Sequence, residues 1–263
     1  MVGMELYAAA PPAVDIADCI FYHVMDLPGY GTTSGEWDLR GHEAEYLGQV
    51  PLAGKRVLEI GPASGHLTFW MEQQGADVVA YDLGPDDQSD LLLYAHTDRQ
   101  AMAQRQFARR NLVANGWWFA HRAFGSRARR AHGTVYQIPA ELGPFEVTTV
   151  SAVLLHLRDP FGALQRALDL TTETVIITEP AGSGASWWRR LLRRYSAAHI
   201  NFLPDARTGQ PDDGWWGLNP EVVQRMLAVL GFSQSTVSYH SQRYIRDNKD
   251  MANFTVVAHR VPA

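Results

Sequence analysis

The chain has 263 residues, a formal net charge of −5 and a single cysteine, Cys19. This length allows one large α/β domain or a core with a small cap, and we favour one domain with insertions. The net charge implies no general attraction to nucleic acid or membranes, and one cysteine excludes a disulfide within the chain. The sequence has no basic N-terminal region that leads into an apolar stretch, and no apolar run of about eighteen residues. We therefore expect a cytoplasmic protein without a membrane anchor, and the Cys and His spacing predicts no metal site.

Residues 1–50 precede the first predicted core strand and are too rich in aromatic and apolar side chains for a disordered tail. Tyr22, Tyr30 and Trp37 stand among turn formers and charged residues, and Arg40 follows them. Such a composition is typical of a lid over a binding site. The alternative is an extension that packs on the surface and contacts no ligand.

The next segment predicts a strand, a tight turn and a helix. Residues 56–60 form a short apolar run with one acid, Glu59, as expected of a buried parallel strand. Gly61 and Gly65 then allow a tight turn into a helix at about 65–74. Such a turn lets the backbone approach a ligand closely.

The following run, 78–82, ends in Asp82, which at the carboxyl end of a neighbouring strand can accept hydrogen bonds from both hydroxyls of a ribose. A dinucleotide site needs Gly-x-Gly-x-x-Gly spacing, with a helix N-terminus facing pyrophosphate. Here Gly61 and Gly65 are four residues apart, and Glu59 precedes them. That acid would repel pyrophosphate but suits a cofactor with a cationic amino-acid part. The pattern resembles the first motif of the S-adenosylmethionine methyltransferases, with Ala63 in place of the middle glycine.

After Asp82 the sequence reaches its next strand-like run, 133–138, only after about fifty residues, where an ordinary fold of this type needs about twenty. We interpret the excess, at about 84–132, as an insertion with a helix at 98–114 closed by Asn115-Gly116. Eight arginines and no acid lie between Arg99 and Arg130. Three explanations stay open: this stretch binds RNA phosphate, binds an anionic small substrate, or is a solvated face balanced by acids elsewhere.

Two further parallel strands are predicted at 145–151 and 174–178, and they are followed by His156 and Glu179. Ligands of open α/β sheets bind at the carboxyl ends of the strands, so both residues are candidates for the active site. His156 is the first choice for a base or for orienting the acceptor, and Glu179 is the second. A second cap insertion at 181–219, a helix at 220–230 and an antiparallel pair at 232–239 and 253–259 complete the chain.

Over residues 54–260 these elements together resemble the Rossmann-like S-adenosylmethionine-dependent methyltransferases. The resemblance implies an α/β fold: a doubly wound, mostly parallel seven-stranded sheet with an antiparallel last strand, an N-terminal lid (1–50) and a domain (51–263) with cap insertions. It implies S-adenosylmethionine as cofactor, with Arg40 able to reach its carboxylate or an anionic substrate. The other implied cofactor residues are Glu59, Gly61, Pro62 and Gly65 for the methionine part, Asp82 for the ribose, and Val135 and Tyr136 for adenine, beside Thr134 where the family usually has an aspartate.

A narrower resemblance links the chain to the tRNA wobble-uridine carboxymethyltransferases. It rests on Tyr22-His23 with Asp26-Leu27, on 37–40, and on 201–204 followed by 230–232. However, Leu155 stands where those enzymes have a tyrosine that helps to hold the extra carboxylate of their cofactor. We therefore expect an enzyme that methylates O, N or activated C of a small anionic or aromatic molecule, with nucleic acid disfavoured. The alternatives are a tRNA methyl or carboxymethyl transferase, a cofactor-consuming cyclase and a catalytically silent cofactor-binding protein. The residues expected to contact the acceptor are Tyr22, Tyr30, Trp37 and Trp187.

Overall fold

The computed structural model describes residues 6–91, 94–181, 197–207 and 214–261. Trp187 lies outside these residues. Within them the strands and helices follow one another as β1 (Asp26–Leu27), β2 (Gly31–Thr32), β3 (Trp37–Asp38), α1 (Glu43–Tyr46), β4 (Arg56–Ile60), α2 (His66–Gln73), β5 (Asp77–Asp82), α3 (Arg99–Phe124), β6 (Arg129–His132), β7 (Phe145–Ser151), α4 (Pro160–Leu168), β8 (Thr171–Pro180), β9 (Ile200–Phe202), β10 (Trp216–Leu218), α5 (Pro220–Val229), β11 (Gln234–Tyr244) and β12 (Lys249–His259).

The central sheet has the strand order β3-β11-β12-β8-β7-β4-β5-β6. The five strands from β8 to β6 are parallel, and β12 is antiparallel to both of its neighbours. The predicted mostly parallel sheet with an antiparallel last strand is therefore confirmed. The predicted number of seven strands is wrong by one, because Trp37 and Asp38 of the N-terminal segment pair with Tyr244 and Arg243 at the edge. This pairing is possible because β11 runs five residues beyond its predicted end, to Tyr244.

Both faces of the sheet are buried, as the near-continuous apolar strands require. Leu58 and Ile60 of β4 belong to one core, which includes residues of α4 and α5. Val57 of the same strand belongs to the other core, together with side chains of α1, α2 and α3 such as Trp117. The alternation along the strand thus places helices on the two faces, which is the doubly wound arrangement.

Helix α3 is longer than predicted and does not end at Gly116. It continues to Phe124 and ends at Gly125, which has a left-handed backbone with φ +60°. A Cβ atom on Gly116 would lie 2.5 Å from the carbonyl oxygen of Ile20. Gly116 is therefore needed for the close crossing of the N-terminal segment over the helix, and it does not terminate the helix.

The strand predicted at 133–138 lies instead at β6, immediately before it. Its sequence, Arg129-Arg130-Ala131-His132, has too many charges for a buried strand to be recognised. The structure shows how the sheet accommodates the two arginines of this strand. The Arg129 guanidinium reaches Asp77 at the surface, whereas Arg130 is buried against Asp82.

The carboxyl ends of the parallel strands meet at one edge of the sheet. Gly61 follows β4 there, Asp82 ends β5, Ser151 ends β7 and Pro180 ends β8. Asn253 of β12 pairs with Pro180 and joins the same edge. Among the described helices, none combines the length and hydrophobicity that a membrane span needs.

Candidate active site

The turn after β4 is built on left-handed backbone. Gly61, Ala63 and Gly65 have φ of +74°, +48° and +91°. A Cβ atom on Gly65 would lie 2.4 Å from the ring of Phe69, so a glycine is needed at the start of α2. Ala63 occupies the middle position of the motif at a cost of about 1–2 kcal/mol for an L-residue in this conformation. Such strain is typical of a ligand-binding turn.

Two carboxylates border this turn. Glu59 is 3% exposed, and the hydroxyl of Thr68 donates a hydrogen bond to it. Burial raises the pKa of Glu59 to about 7. Asp82 is partly exposed; it accepts hydrogen bonds from the N–H of Leu83 at 2.9 Å and from the Arg130 guanidinium at 3.1 Å. Each oxygen of Asp82 keeps lone-pair capacity for further hydrogen bonds.

Two adjoining cavities open at the carboxyl edge of the sheet. The larger has a volume of about 420 Å³, and its walls include Glu59, Gly61, Pro62 and Asp82. The smaller, of about 200 Å³, is lined by Tyr81 and Leu157 among others. Both are also lined by Gly61, Asp82, Ser89, Asp90, Val153 and His156. The predicted adenine contacts, Val135 and Tyr136, line the smaller cavity, beside Thr134.

His156 lies where the two cavities meet, on a short 3₁₀ turn, Leu154–His156, that follows β7. Glu179 contacts this turn from the buried side. It is 1% exposed, and its Oε1 accepts a hydrogen bond from the N–H of Leu154 at 2.8 Å. Burial raises the pKa of Glu179 to about 8. Because Glu179 lines neither cavity, the structure places only His156, of the two catalytic candidates, next to the open space.

The N-terminal segment covers one side of the larger cavity. Tyr22 and Trp37 line it, and Trp37 Nε1 donates a hydrogen bond to Tyr22 Oη at 3.1 Å. The N–H of Tyr22 donates to Ser64 Oγ at 2.9 Å, which connects the segment to the turn after β4. Trp37 also packs on Tyr244 at 4.7 Å between ring centroids.

Two other predicted residues of this segment lie away from both cavities. Tyr30 is 60% exposed and packs edge-on against Phe119. Arg40 is held at the surface by two carboxylates, Asp26 at 2.9 Å and Asp38 at 2.8 Å. We expected this guanidinium to reach the cofactor or an anionic substrate, but it is paired with these two carboxylates instead.

Four residues that were not predicted to contact a ligand also line the larger cavity: His23, Tyr46, Gln242 and Asn253. Burial lowers the pKa of His23, so its imidazole is neutral. A polar residue within an apolar strand could have signalled Asn253, but Gln242 lay beyond the predicted end of its strand.

Several arginines of the basic stretch between Arg99 and Arg130 have partners within the molecule. Arg109 forms an ion pair with Glu36 at 2.5 Å, and Arg110 donates to the carbonyl of Asp87 at 2.8 Å. The other three with internal partners are Arg122 on the carbonyls of Pro11 and Pro12, Arg129 on Asp77, and Arg130 on Asp82. Of the eight arginines, three are thus paired with carboxylates and two more donate to backbone carbonyls.

Comparison with known proteins identifies the family. A family model described as a methyltransferase domain matches residues 39–259. Magnesium protoporphyrin IX methyltransferase from Synechocystis PCC 6803, solved with S-adenosylhomocysteine, is similar with a TM-score of 0.51 at 14% identity, over 83% of this chain and 80% of its own. An S-adenosylmethionine-dependent methyltransferase from Methanosarcina mazei gives 0.51 at 14% identity, over 86% and 100%. No curated protein matches the sequence.

The family match spans the turn after β4, Asp82, the His156 turn and the antiparallel strands β11 and β12. The prediction of an S-adenosylmethionine-dependent methyltransferase is therefore confirmed at the level of fold and family. The chain belongs to the methyltransferase domain family and has the Rossmann-like fold of the S-adenosylmethionine-dependent enzymes.

Proposed function

We propose that this enzyme transfers a methyl group from S-adenosylmethionine to an O, N or activated C atom of a small, uncharged, aromatic acceptor. The observation that carries the proposal is the continuity of the larger cavity. It runs from Glu59 and Asp82 to a wall of rings and amides formed by Tyr22, Trp37 and Gln242. One end has the chemistry of a nucleoside cofactor, and the other is shaped for an organic molecule.

The residues at the cofactor end fit S-adenosylmethionine. The left-handed turn at Gly61 brings the backbone close to the cavity, Glu59 suits the amino group, and Asp82 has acceptor capacity for the ribose hydroxyls. The smaller cavity, beside Val135 and Tyr136, suits adenine. When bound, the cofactor supplies an electrophilic methyl group on a sulfonium.

The acceptor end favours an uncharged molecule. Arg109 and Glu36 line this end, and they form an ion pair with each other at 2.5 Å. His23 is neutral because burial lowers its pKa. Among the described residues that line this end, no cation without a partner is present for an anionic acceptor. The rings of Tyr22 and Trp37 favour a flat acceptor.

His156 is the residue we assign to the acceptor. It lies at the junction of the cavities, where a nucleophilic atom would face the methyl group. Methyl transfer needs an in-line nucleophile and a base only where that nucleophile carries a proton. The imidazole of His156 can remove that proton, while the segment of Tyr22 and Trp37 excludes water from the reaction.

The test is incubation of the protein with methyl-labelled S-adenosylmethionine and metabolite fractions, followed by mass analysis of the labelled product. We expect His156→Ala to lower turnover about a hundredfold or more with nearly unchanged affinity for S-adenosylhomocysteine, because general bases contribute about 10² to 10⁴. His42→Ala, at an exposed histidine, is the matched control and should keep full activity.

Three outcomes would contradict the proposal. Label that appears in tRNA, with binding that weakens steeply as salt rises, would assign the enzyme to RNA. Cofactor binding without transfer to any fraction would indicate a silent binding protein. A parallel loss of cofactor affinity and rate in His156→Ala would give this residue a cofactor-linked role.

A further inference from the structure

Behind the cofactor edge lies a buried arginine, Arg130, in the middle of β6. It is 2% exposed, and its guanidinium lies 5.2 Å from the centre of the Trp117 ring and 3.1 Å from Asp82. Its Nε and Nη1 atoms have no hydrogen-bond partner within the described part of the chain. A buried cation with two such donors is costly, so a functional reason is required.

The Trp117 side chain is also connected to Glu59, the second acid of the site. Trp117 Nε1 donates a hydrogen bond to Thr68 Oγ1 at 3.3 Å, and the Thr68 hydroxyl donates to Glu59. Trp117 is fully buried and fixed by its packing on Phe69. Trp117 therefore contributes to the position of both carboxylates. It contacts Arg130, which pairs with Asp82, and it donates to Thr68, which donates to Glu59.

Arg130 also sets the charge balance of the pair. Glu59 and Arg130 pair in register with Ala80 from its two sides, so their side chains lie on the same face of the sheet. The groups that act on Glu59 are the hydroxyl of Thr68, the cation of Arg130 and the anion of Asp82. Burial and Asp82 both favour the protonated form of Glu59, whereas Thr68 and Arg130 favour the ionised form. Arg130 is thus the one cation among these groups that keeps a buried carboxylate available for the amino group of a ligand.

We propose that Arg130 is a positioning residue for cofactor binding, which orients Asp82 toward the ribose and keeps Glu59 ionised toward the amino group of the cofactor. This inference rests on the proposed binding of S-adenosylmethionine. It extends the site to β6 and to a residue that lines neither cavity. It implies that cofactor affinity depends on pH and that Arg130 sets the midpoint of that dependence.

The test is calorimetry with S-adenosylhomocysteine between pH 6 and 9 on the wild type, Arg130→Met, Arg130→Lys and Arg129→Met. Arg129, the neighbour on the same strand, pairs with Asp77 at the surface and is the matched control. Affinity of the wild type should rise with pH through about 7 as Glu59 loses its proton. Loss of a nearby opposite charge raises a carboxyl pKa by about one unit or more, so at pH 7 the ionised fraction of Glu59 should fall from about one half to about one tenth.

With the loss of the Asp82 hydrogen bond, we expect Arg130→Met to bind about tenfold more weakly at pH 7, with the midpoint about one pH unit higher. Arg130→Lys keeps the charge and should keep the midpoint, and Arg129→Met should match the wild type. Adenosine, which has no amino group, should lose affinity in Arg130→Met without a change in pH dependence.

A folded Arg130→Met with the wild-type affinity and midpoint would overturn the inference. If Arg130→Met does not fold, Arg130→Lys provides the test. This variant keeps the positive charge, so a rise of its pH midpoint by about one unit, as expected for an uncharged residue, would refute the role of the charge. A wild type that binds no S-adenosylhomocysteine would instead refute the proposed function. A merely structural Arg130 would lower the melting temperature and leave the pH midpoint of binding in place.

Discussion

Glu59→Gln should stabilise the protein above about pH 5 while weakening cofactor binding. In the folded chain the pKa of Glu59 is raised from 4.5 to about 7, chiefly by burial. The folded state therefore binds the proton more tightly than the unfolded state, and stability falls as pH rises from 4.5 to about 7. The full cost, about 3 kcal/mol at 1.36 kcal/mol per pKa unit, is present above pH 7 and absent below 4.5.

Glutamine keeps an oxygen for the hydroxyl of Thr68 but carries no charge. At pH 9 we expect Glu59→Gln to exceed the wild type in free energy of unfolding by about 3 kcal/mol, which is about 6–12 °C in melting temperature for a domain of this size. At pH 4.5 the two proteins should differ little. S-adenosylhomocysteine should bind at least about tenfold more weakly, because the variant has no carboxylate for the amino group.

The assay is denaturant unfolding of both proteins at a series of pH values, with calorimetry at pH 8. Glu173→Gln is the control, since this half-exposed carboxylate pairs with Lys55 at the surface and should change stability by less than about 1 kcal/mol. A stability difference at Glu59 that does not grow between pH 4.5 and 9 would refute the assignment of a buried, proton-binding carboxyl. Unchanged ligand affinity would refute its contact with the amino group.

The remaining predictions concern the ribose contact, the His156 turn and the α3 crossing. Asp82→Ala should weaken S-adenosylhomocysteine about tenfold or more by calorimetry, since two charge-assisted hydrogen bonds are lost; unchanged affinity, or binding of NAD instead, would contradict the site. Glu179→Gln should exceed the wild type in stability by a margin that grows as pH rises from about 4.5 to about 8, because the folded wild-type carboxyl, with a pKa raised by burial to about 8, holds its proton over that range while the unfolded one loses it; it should also lower kcat more than cofactor affinity because the turn of His156 shifts, and a stability difference that is the same at pH 4.5 and pH 9 would argue against this. Gly116→Ala should destabilise the protein by about 1–3 kcal/mol in denaturant unfolding, although alanine is the better helix former by about 1 kcal/mol; a more stable variant would show that the Ile20 crossing yields without cost.

Local sequence patterns were sufficient to place the turn after β4 and Asp82 together at one edge of the sheet. The run 56–60, the glycines that follow it and the acid at Asp82 specify a strand, a left-handed turn and a second strand within about thirty residues. The parallel order of such units then brings their carboxyl ends together without further information. For the same reason His156, directly after a strand, was placed correctly at the edge of the cavity.

Patterns that depend on a partner far along the chain were misread. Gly116 looks like a helix terminator, but a glycine is needed there because the carbonyl of Ile20 crosses the helix at that point. The strand β6 looks polar, because Arg130 is buried only through Asp82 and the ring of Trp117. Neither partner is visible in a local window, since each lies at a sequence separation that only the folded chain closes.

The remaining walls of the larger cavity were decided by tertiary structure. Gln242 and Asn253 come from the antiparallel strands β11 and β12, and Tyr22 and Trp37 come from the N-terminal segment that joins β11 at the sheet edge. Charges that suggested an anionic ligand or RNA, such as Arg109, are neutralised by carboxylates distant in sequence. The sequence by itself thus determined the fold family and the cofactor chemistry, because these follow from local periodicity and spacing. The shape and charge of the rest of the larger cavity required the structure, because they depend on which distant residues meet.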